Sequence, residues 1–216
     1  MSAVLDTYKS IQKEFTAEFK DRASKFQAYL RPVSNESEFN SFLEELRSTH
    51  HKANHHCFAF RLKDENQFRY SDDGEPSGTA GKPIFNQLVS HQLKDIACIV
   101  VRYFGGTKLG TSGLINAYRE ACRLAIESAD IQEFYITRRI KIRFDYALMG
   151  QLMEIIKSLN YLAAESNYGE DPFLILEVRL SEFELAEKKI KAKFLHRSVE
   201  DIEEDTLVEG LGFDYP

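Results

Sequence analysis

Two segments of this chain lack apolar periodicity, and each separates elements that have it. Residues 71–81 read Ser71-Asp72-Asp73-Gly74-Glu75-Pro76-Ser77-Gly78-Thr79-Ala80-Gly81, and residues 105–113 read Gly105-Gly106-Thr107-Lys108-Leu109-Gly110-Thr111-Ser112-Gly113. Each follows a strand pattern and runs into a helix pattern, so both are loops joining a strand to a helix. Before the second loop, Ile96-Ala97-Cys98-Ile99-Val100-Val101 is apolar throughout and rich in β-branched residues, as expected of a central strand. After it, Leu114, Ala117, Tyr118, Ala121, Leu124 and Ala125 form the buried stripe of a helix over about 114–128. After the first loop, Pro83 suits the opening turn of a helix carrying Ile84, Phe85, Leu88 and Val89.

The rest of the N-terminal half fits the same α/β pattern. Ile11, Lys13, Phe15, Ala17 and Phe19 alternate as in a strand, while Leu5, Tyr8, Phe15 and Phe19 also fit a helical spacing, and Lys25–Val33 reads as a second strand. Ser34 or Asn35 caps a helix with Phe39, Phe42, Leu43 and Leu46 at helical spacing. A hairpin follows, from His55–Leu62 through Asp64-Glu65-Asn66 to Gln67–Ser71. A domain boundary falls near 130–134. Beyond it Phe134, Ile136, Ile140, Ile142 and Phe144 alternate, a helix spans about 147–159, and strands at 161–168 and 173–180 lead to a helix at about 182–194. That β-α-β-β-α order predicts a ferredoxin-like half. The expected class is α+β with two domains, 1–133 and 134–197, and an acidic tail, 198–216, at best partly ordered.

Composition narrows the function classes. The 216 residues are 43% hydrophobic, 29% charged and 12% aromatic. A chain of this size buries roughly 70% of its unfolded surface, so disorder is excluded. No apolar run reaches the roughly 18–20 residues of a membrane helix, and Met1–Asp6 lacks the pattern of a signal peptide. The scattered Cys57, Cys98 and Cys122 suit reduced cytoplasmic thiols. The net charge of −6 belongs to the tail. Seven of the 34 acids and none of the 28 Lys and Arg residues lie in 198–216, so the other 197 residues carry 27 acids against 28 bases, a net +1. A local basic site for nucleic acid is therefore compatible with the body of the chain.

The first loop admits several chemistries. A nucleotide P-loop fails, because its first glycine would fall at Pro76 and its hydroxyl residue at Pro83. Asp72, Asp73 and Glu75 offer carboxylates for a metal or for proton transfer, but without calcium-loop spacing. The plainer reading is an Asp73-Gly74 turn with solvated acids. Ser77, Gly78, Thr79, Ala80 and Gly81, with Lys82 next, leave small residues at a helix start, where free backbone N–H groups suit an anion. In the second loop Gly106, Gly110 and Gly113 do not match G-x-G-x-x-G. Lys108, Thr111 and Ser112 at a helix start suit a phosphate, and a tight strand-to-helix turn accounts for the glycines equally well. Arg102, Tyr103 and Phe104 just before it suit a nucleic-acid backbone and base stacking, or packing at a sheet end.

Other constellations are weaker. His50, His51, His55 and His56 lack zinc spacing. Cys57 with a histidine has no third orienting group for nucleophilic catalysis. Arg139, Lys141 and Arg143 mark a basic strand face, for which a solvated sheet surface is the simpler account. No motif for sequence-specific DNA recognition is present.

The segment Ser71–Pro83, the run Val101-Arg102-Tyr103-Phe104-Gly105-Gly106 on to Leu109-Gly110 and Gly113-Leu114, and the strand His55–Arg61 resemble the signature of the YigZ/IMPACT family over roughly residues 8–130. Thr111-Ser112-Gly113 stands where Thr-Gly-Gly is common, and His56 where Asn is frequent. The resemblance implies an N-terminal domain like domain IV of elongation factor G and a C-terminal domain like that factor's ferredoxin-like domain V. It implies a non-enzymatic protein acting on RNA, the ribosome or translation control, without a cofactor. The binding residues would be Ser71, Asp72, Asp73, Gly74, Glu75, Ser77, Gly78, Thr79, Gly81 and Lys82 of the first segment, and Arg102, Tyr103, Phe104, Gly105, Gly106, Lys108, Gly110, Thr111 and Gly113 of the second. The alternatives are an enzyme or binder for a phosphorylated small molecule using Asp72, Asp73 or Glu75, and a protein-only adaptor.

Overall fold

The computed structural model describes residues 6–216. It is a mixed α/β chain that divides into two compact units: Tyr8–Phe134, and Tyr135–Pro216 joined by Asp6 and Thr7. The first unit holds β1 (Thr7–Ser10), β2 (Phe15–Asp21), β3 (Ser24–Pro32), α1 (Glu36–Thr49), β4 (His55–Arg61), β5 (Phe68–Ser71), α2 (Gly81–Ser90), β6 (Ile96–Tyr103), α3 (Gly110–Glu127) and β7 (Gln132–Tyr135). Strands β2-β3-β6-β4-β5 form one sheet, antiparallel throughout, and β1 pairs with β7.

β6 sits at the centre of this sheet, and its sequence explains why. Alternate residues serve two cores. Ile96, Cys98 and Val100 join Phe26, Leu30, Ile84, Leu114 and Tyr118 under α2 and α3. Ala97, Ile99 and Val101 join Phe39, Phe42, Phe58 and Phe60 under α1. A strand covered on both faces has no polar side to show, hence the unbroken apolar run. At its end the same alternation puts Arg102 on the α2/α3 face and Tyr103 on the α1 face. Asn35 caps α1, accepting from Glu38 N–H at 2.9 Å.

Some element limits differ from the sequence reading. The strand expected over 11–20 begins only at Phe15, residues 11–14 linking β1 to β2 with Ile11 buried. α3 starts at Gly110, four residues early, so the Gly110–Gly113 stretch is the first turn of a helix rather than loop. Phe134 to Phe144 is two strands, β7 and β8, parted at Ile136.

The second unit contains β8 (Thr137–Phe144), α4 (Met149–Ser158), β9 (Leu162–Asn167), β10 (Phe173–Arg179), α5 (Leu180–Leu195) and β11 (Leu211–Asp214), in the sheet order β11-β8-β10-β9. Ile140, Ile142, Leu152, Leu174, Leu176 and Ile190 form its core. The acidic tail does more than expected. Residues 211–214 pair with β8, and Leu211 and Phe213 pack on the core. Acidity hid a short alternating strand. On the basic face of β8 the two arginines are paired within their own sheet, and Lys141 lies 4.1 Å from the Phe173 ring. Arg139 meets Glu165 at 3.0 Å and Glu177 at 3.5 Å, and Arg143 meets Asp214 at 2.8 Å.

Candidate functional site

Both loops lie at one end of the first unit's sheet, and their local structures differ. In the first, Asp73 and Gly74 have φ of 42° and 87°, and Glu75 N–H donates to the Asp72 carbonyl at 2.9 Å. Positive φ at both central positions makes this a tight mirror-image turn, as Asp-Gly predicts. The turn swings the Asp72 side chain under the start of α2. Its Oδ2 accepts from Gly78 N–H at 2.8 Å, and its Oδ1 accepts from Ala80 and Gly81 N–H at 2.9 Å each. These are the N–H groups that the sequence reading left free for a ligand anion. They are spent on the chain's own carboxylate, which also complements the helix dipole. Gly81 is required sterically, since a Cβ there would lie 2.7 Å from the Ser71 backbone. Ser71 Oγ accepts from Asp73 N–H, and the buried Thr79 hydroxyl donates to the Pro76 carbonyl at 2.6 Å.

The other two acids have separate tasks. Asp73 Oδ2 accepts from His56 N–H at 2.6 Å, and Oδ1 lies 3.5 Å from Arg47. Glu75 is buried, and its Oε1 accepts from Arg102 Nη1 at 2.5 Å and from the Tyr118 hydroxyl at 2.8 Å. Among the described residues, no three His, Cys, Asp or Glu side chains gather as a metal site. The carboxylate set invoked for metal or proton chemistry is thus dispersed. Burial, with Cys57 and Glu75 alongside, pushes the Tyr118 phenol well up, so it remains a proton donor. Burial also pushes the Cys57 thiol well up, and its Sγ donates to the Asp72 carbonyl. A nucleophilic Cys57 is inconsistent with that environment.

The second loop has no internal anion. Gly105 N–H donates to Ser24 Oγ at 3.2 Å, and a Cβ on Gly105 would sit 2.1 Å from the Ala23 carbonyl carbon, so the loop is pressed onto the β2–β3 turn. Leu109 occupies the N-cap of α3 and supplies no side-chain bond, and the first turn holds no acid. Lys108 is exposed and makes no ion pair among the described residues.

Between the loops lies a pocket of about 370 Å³. Glu75 and Arg102 are its buried members, Pro76, Leu109 and Leu114 its apolar walls, and Phe104, Lys108, Gly110 and Thr111 its exposed edge. Arg102 is 5% exposed, and its guanidinium lies 5.4 Å from the Phe26 ring and 5.5 Å from the Phe104 ring.

A family model described as the Impact N-terminal domain matches residues 22–126, spanning both loops and the pocket. IMPACT family member YvyE of Bacillus subtilis (strain 168) is 32% identical over 169 residues, 78% of this chain and 78% of that protein. This chain belongs to the IMPACT family. A second relative, IMPACT family member YigZ of Escherichia coli (strain K12), is 31% identical over 173 residues, 79% of this chain and 84% of the relative. A crystal structure of a hypothetical protein superposes with a TM-score of 0.71 at 26% identity, covering 94% of this chain and all of that one.

Of the residues expected to bind, this IMPACT-family chain brings Glu75, Arg102, Phe104, Lys108, Gly110 and Thr111 to one pocket. Ser71, Asp72, Asp73, Gly74, Ser77, Gly78, Thr79 and Gly81 build the first loop without lining it. Lys82 is exposed on α2, away from the pocket lining. Tyr103 points to the other sheet face, where its hydroxyl meets His50 Nδ1 at 2.8 Å. Gly105, Gly106 and Gly113 shape the second loop and the first turn of α3. The histidines separate similarly. His50 lies between Tyr29 and Tyr103, His55 Nδ1 meets the Asp73 carbonyl, and His56 is buried on the α1 face. Tyr118 and Ser24 were missed as site residues. The signal for Tyr118 was a hydroxyl on a buried helix stripe, which needs a partner.

Proposed function

We propose that this chain is a cytoplasmic binding protein, without catalysis, that engages RNA of the translation machinery through the pocket between its two loops. The observation that carries this reading is the pocket itself. A buried ion pair, a half-exposed aromatic ring, an unpaired lysine and an uncapped helix start converge within about 370 Å³. Stacking on aromatics and phosphate contact at cations and helix starts are how proteins hold single-stranded nucleic acid. The IMPACT resemblance supports a place in translation control. On the same reading, residues 1–133 form a domain like domain IV of elongation factor G. Residues 134–197 with the returning strand β11 form a ferredoxin-like one, supported by the order β-α-β-β-α-β with β11 and β8 adjacent.

Co-sedimentation with ribosomes and with short single-stranded RNA tests the proposal. Binding is expected at about 50 mM salt and falls steeply by about 200 mM, because phosphate contacts release counterions. Phe104→Ala and Lys108→Ala, both at exposed positions, should weaken it. Absence of RNA binding at about 50 mM salt overturns the reading, and ribosome binding without RNA affinity points to a protein-only adaptor.

A further inference from the structure

The buried pair in the pocket leaves hydrogen-bonding capacity unspent. Glu75 Oε1 takes both Arg102 and Tyr118, while no described residue bonds Oε2. Arg102 Nε–H is buried and has no partner among the described residues. A buried donor left unpaired is unfavourable, so the Arg102 guanidinium is held in this wall with spare hydrogen-bonding capacity. Glu75 and Arg102 both line the pocket, and a carboxylate with a guanidinium on one wall complements a planar group that offers a donor and an acceptor, as the edge of a nucleobase does. Phe104, 46% exposed, supplies an aromatic face at the pocket edge. Lys108 and the backbone N–H groups of Gly110 and Thr111 supply an uncompensated positive end of the site, whereas at the other end Arg102 is already paired with Glu75. At about 370 Å³ the pocket is at the small end of ligand sites.

We infer that this pocket is a one-nucleotide subsite. It takes a single unstacked nucleotide, with the base edge on Glu75 and Arg102, the base face on Phe104, and the phosphate at Lys108 and the start of α3. This deepens the RNA reading above and rests on it for the biological source of the nucleotide. The polarity follows from the charges. A phosphate near Glu75 would meet a carboxylate whose partner cation, Arg102, is already spent on it, whereas at Lys108 it meets an unpaired cation and an uncapped helix dipole.

The test is calorimetric titration of the full chain at about 50 mM salt with GMP, guanosine, ribose 5-phosphate and inorganic phosphate. GMP should bind about tenfold or more tightly than ribose 5-phosphate, the difference being base stacking and edge contacts. Phe104→Ala should abolish that advantage. Lys108→Ala should weaken GMP and ribose 5-phosphate alike, by several-fold, and leave guanosine unchanged. Glu75→Gln probes the edge directly, with its fold checked by circular dichroism, and the two exposed variants carry the test if it unfolds. Equal affinity for GMP, ribose 5-phosphate and inorganic phosphate would mean an anion site only and would overturn the inference, as would full GMP affinity in Phe104→Ala. RNA binding without GMP binding leaves the RNA reading standing and removes the subsite. GMP binding without RNA binding does the reverse.

Discussion

The two glycine-rich loops of this chain obey the same local rule and reach opposite ends. Each leaves a strand of one sheet and opens a helix on the same face. At α2 the helix start is closed from within, because Asp72 reaches forward to bond the N–H groups of Gly78, Ala80 and Gly81. At α3 the cap position is Leu109, the first turn has no acid, and the pocket opens beside it. A glycine-rich helix start is therefore an anion site only where the chain has not already supplied the anion. In this molecule the first loop serves as scaffold, placing Glu75 in the pocket that the second loop borders with its exposed groups.

The largest effect expected from breaking this arrangement is at the buried pair they share. Arg102→Ala leaves Glu75 buried without its cation and should lower stability by about 3–5 kcal/mol, read by urea unfolding. Glu75→Leu with Arg102→Met should recover most of it, since an apolar pair of similar volume often matches a buried ion pair. A single variant as stable as the double would show that the pair is not coupled. Next comes the closed loop. Asp72→Ala strips three N–H groups of their acceptor and should cost about 2–3 kcal/mol. Added sulfate should then restore part of that stability in the variant and not in the parent. No loss on substitution would mean that the loop does not depend on its internal anion.

A smaller effect concerns His56, whose backbone N–H is held by Asp73 of the closed loop. Burial lowers its pKa from the ordinary 6.5, despite the pull of Asp73. The unfolded chain therefore takes up the proton first. Stability from this group is full above about pH 6.5 and declines as pH falls toward the folded value. His56→Asn should flatten the pH 5–7 slope of stability relative to the parent, and an unchanged slope would contradict the assignment. The smallest effect separates the two lysines. Lys108→Ala should weaken RNA binding a few-fold and reduce the salt slope by about one. Lys82→Ala, at the closed helix start, should leave both unchanged.

Much of this could be read from the residues. The run Ile96–Val101 announced a central strand, and the Asp73-Gly74 turn followed from its dipeptide. The contrast between the loops could not be read, because it depends on where one side chain goes. Asp72 reaches six to nine residues ahead only after the turn has reversed the chain, and spacing alone does not encode that. Arg102 and Tyr103 are neighbours in sequence on opposite sheet faces. Only the register of β6 decides which one enters the pocket. Tyr118 was read as core because its helix stripe is apolar, although its hydroxyl completes the Glu75 cluster. The strand β11 escaped notice because acids surround it, while Leu211 and Phe213 carry the alternation.

One helix start is closed by Asp72 and the other is open, and amide chemical shifts distinguish the two. In a ¹⁵N-resolved titration with GMP, the Gly110 and Thr111 amides should move with ligand concentration while those of Gly78, Ala80 and Gly81 stay in place. Movement at Gly78, Ala80 and Gly81, with Gly110 and Thr111 unmoved, would contradict it.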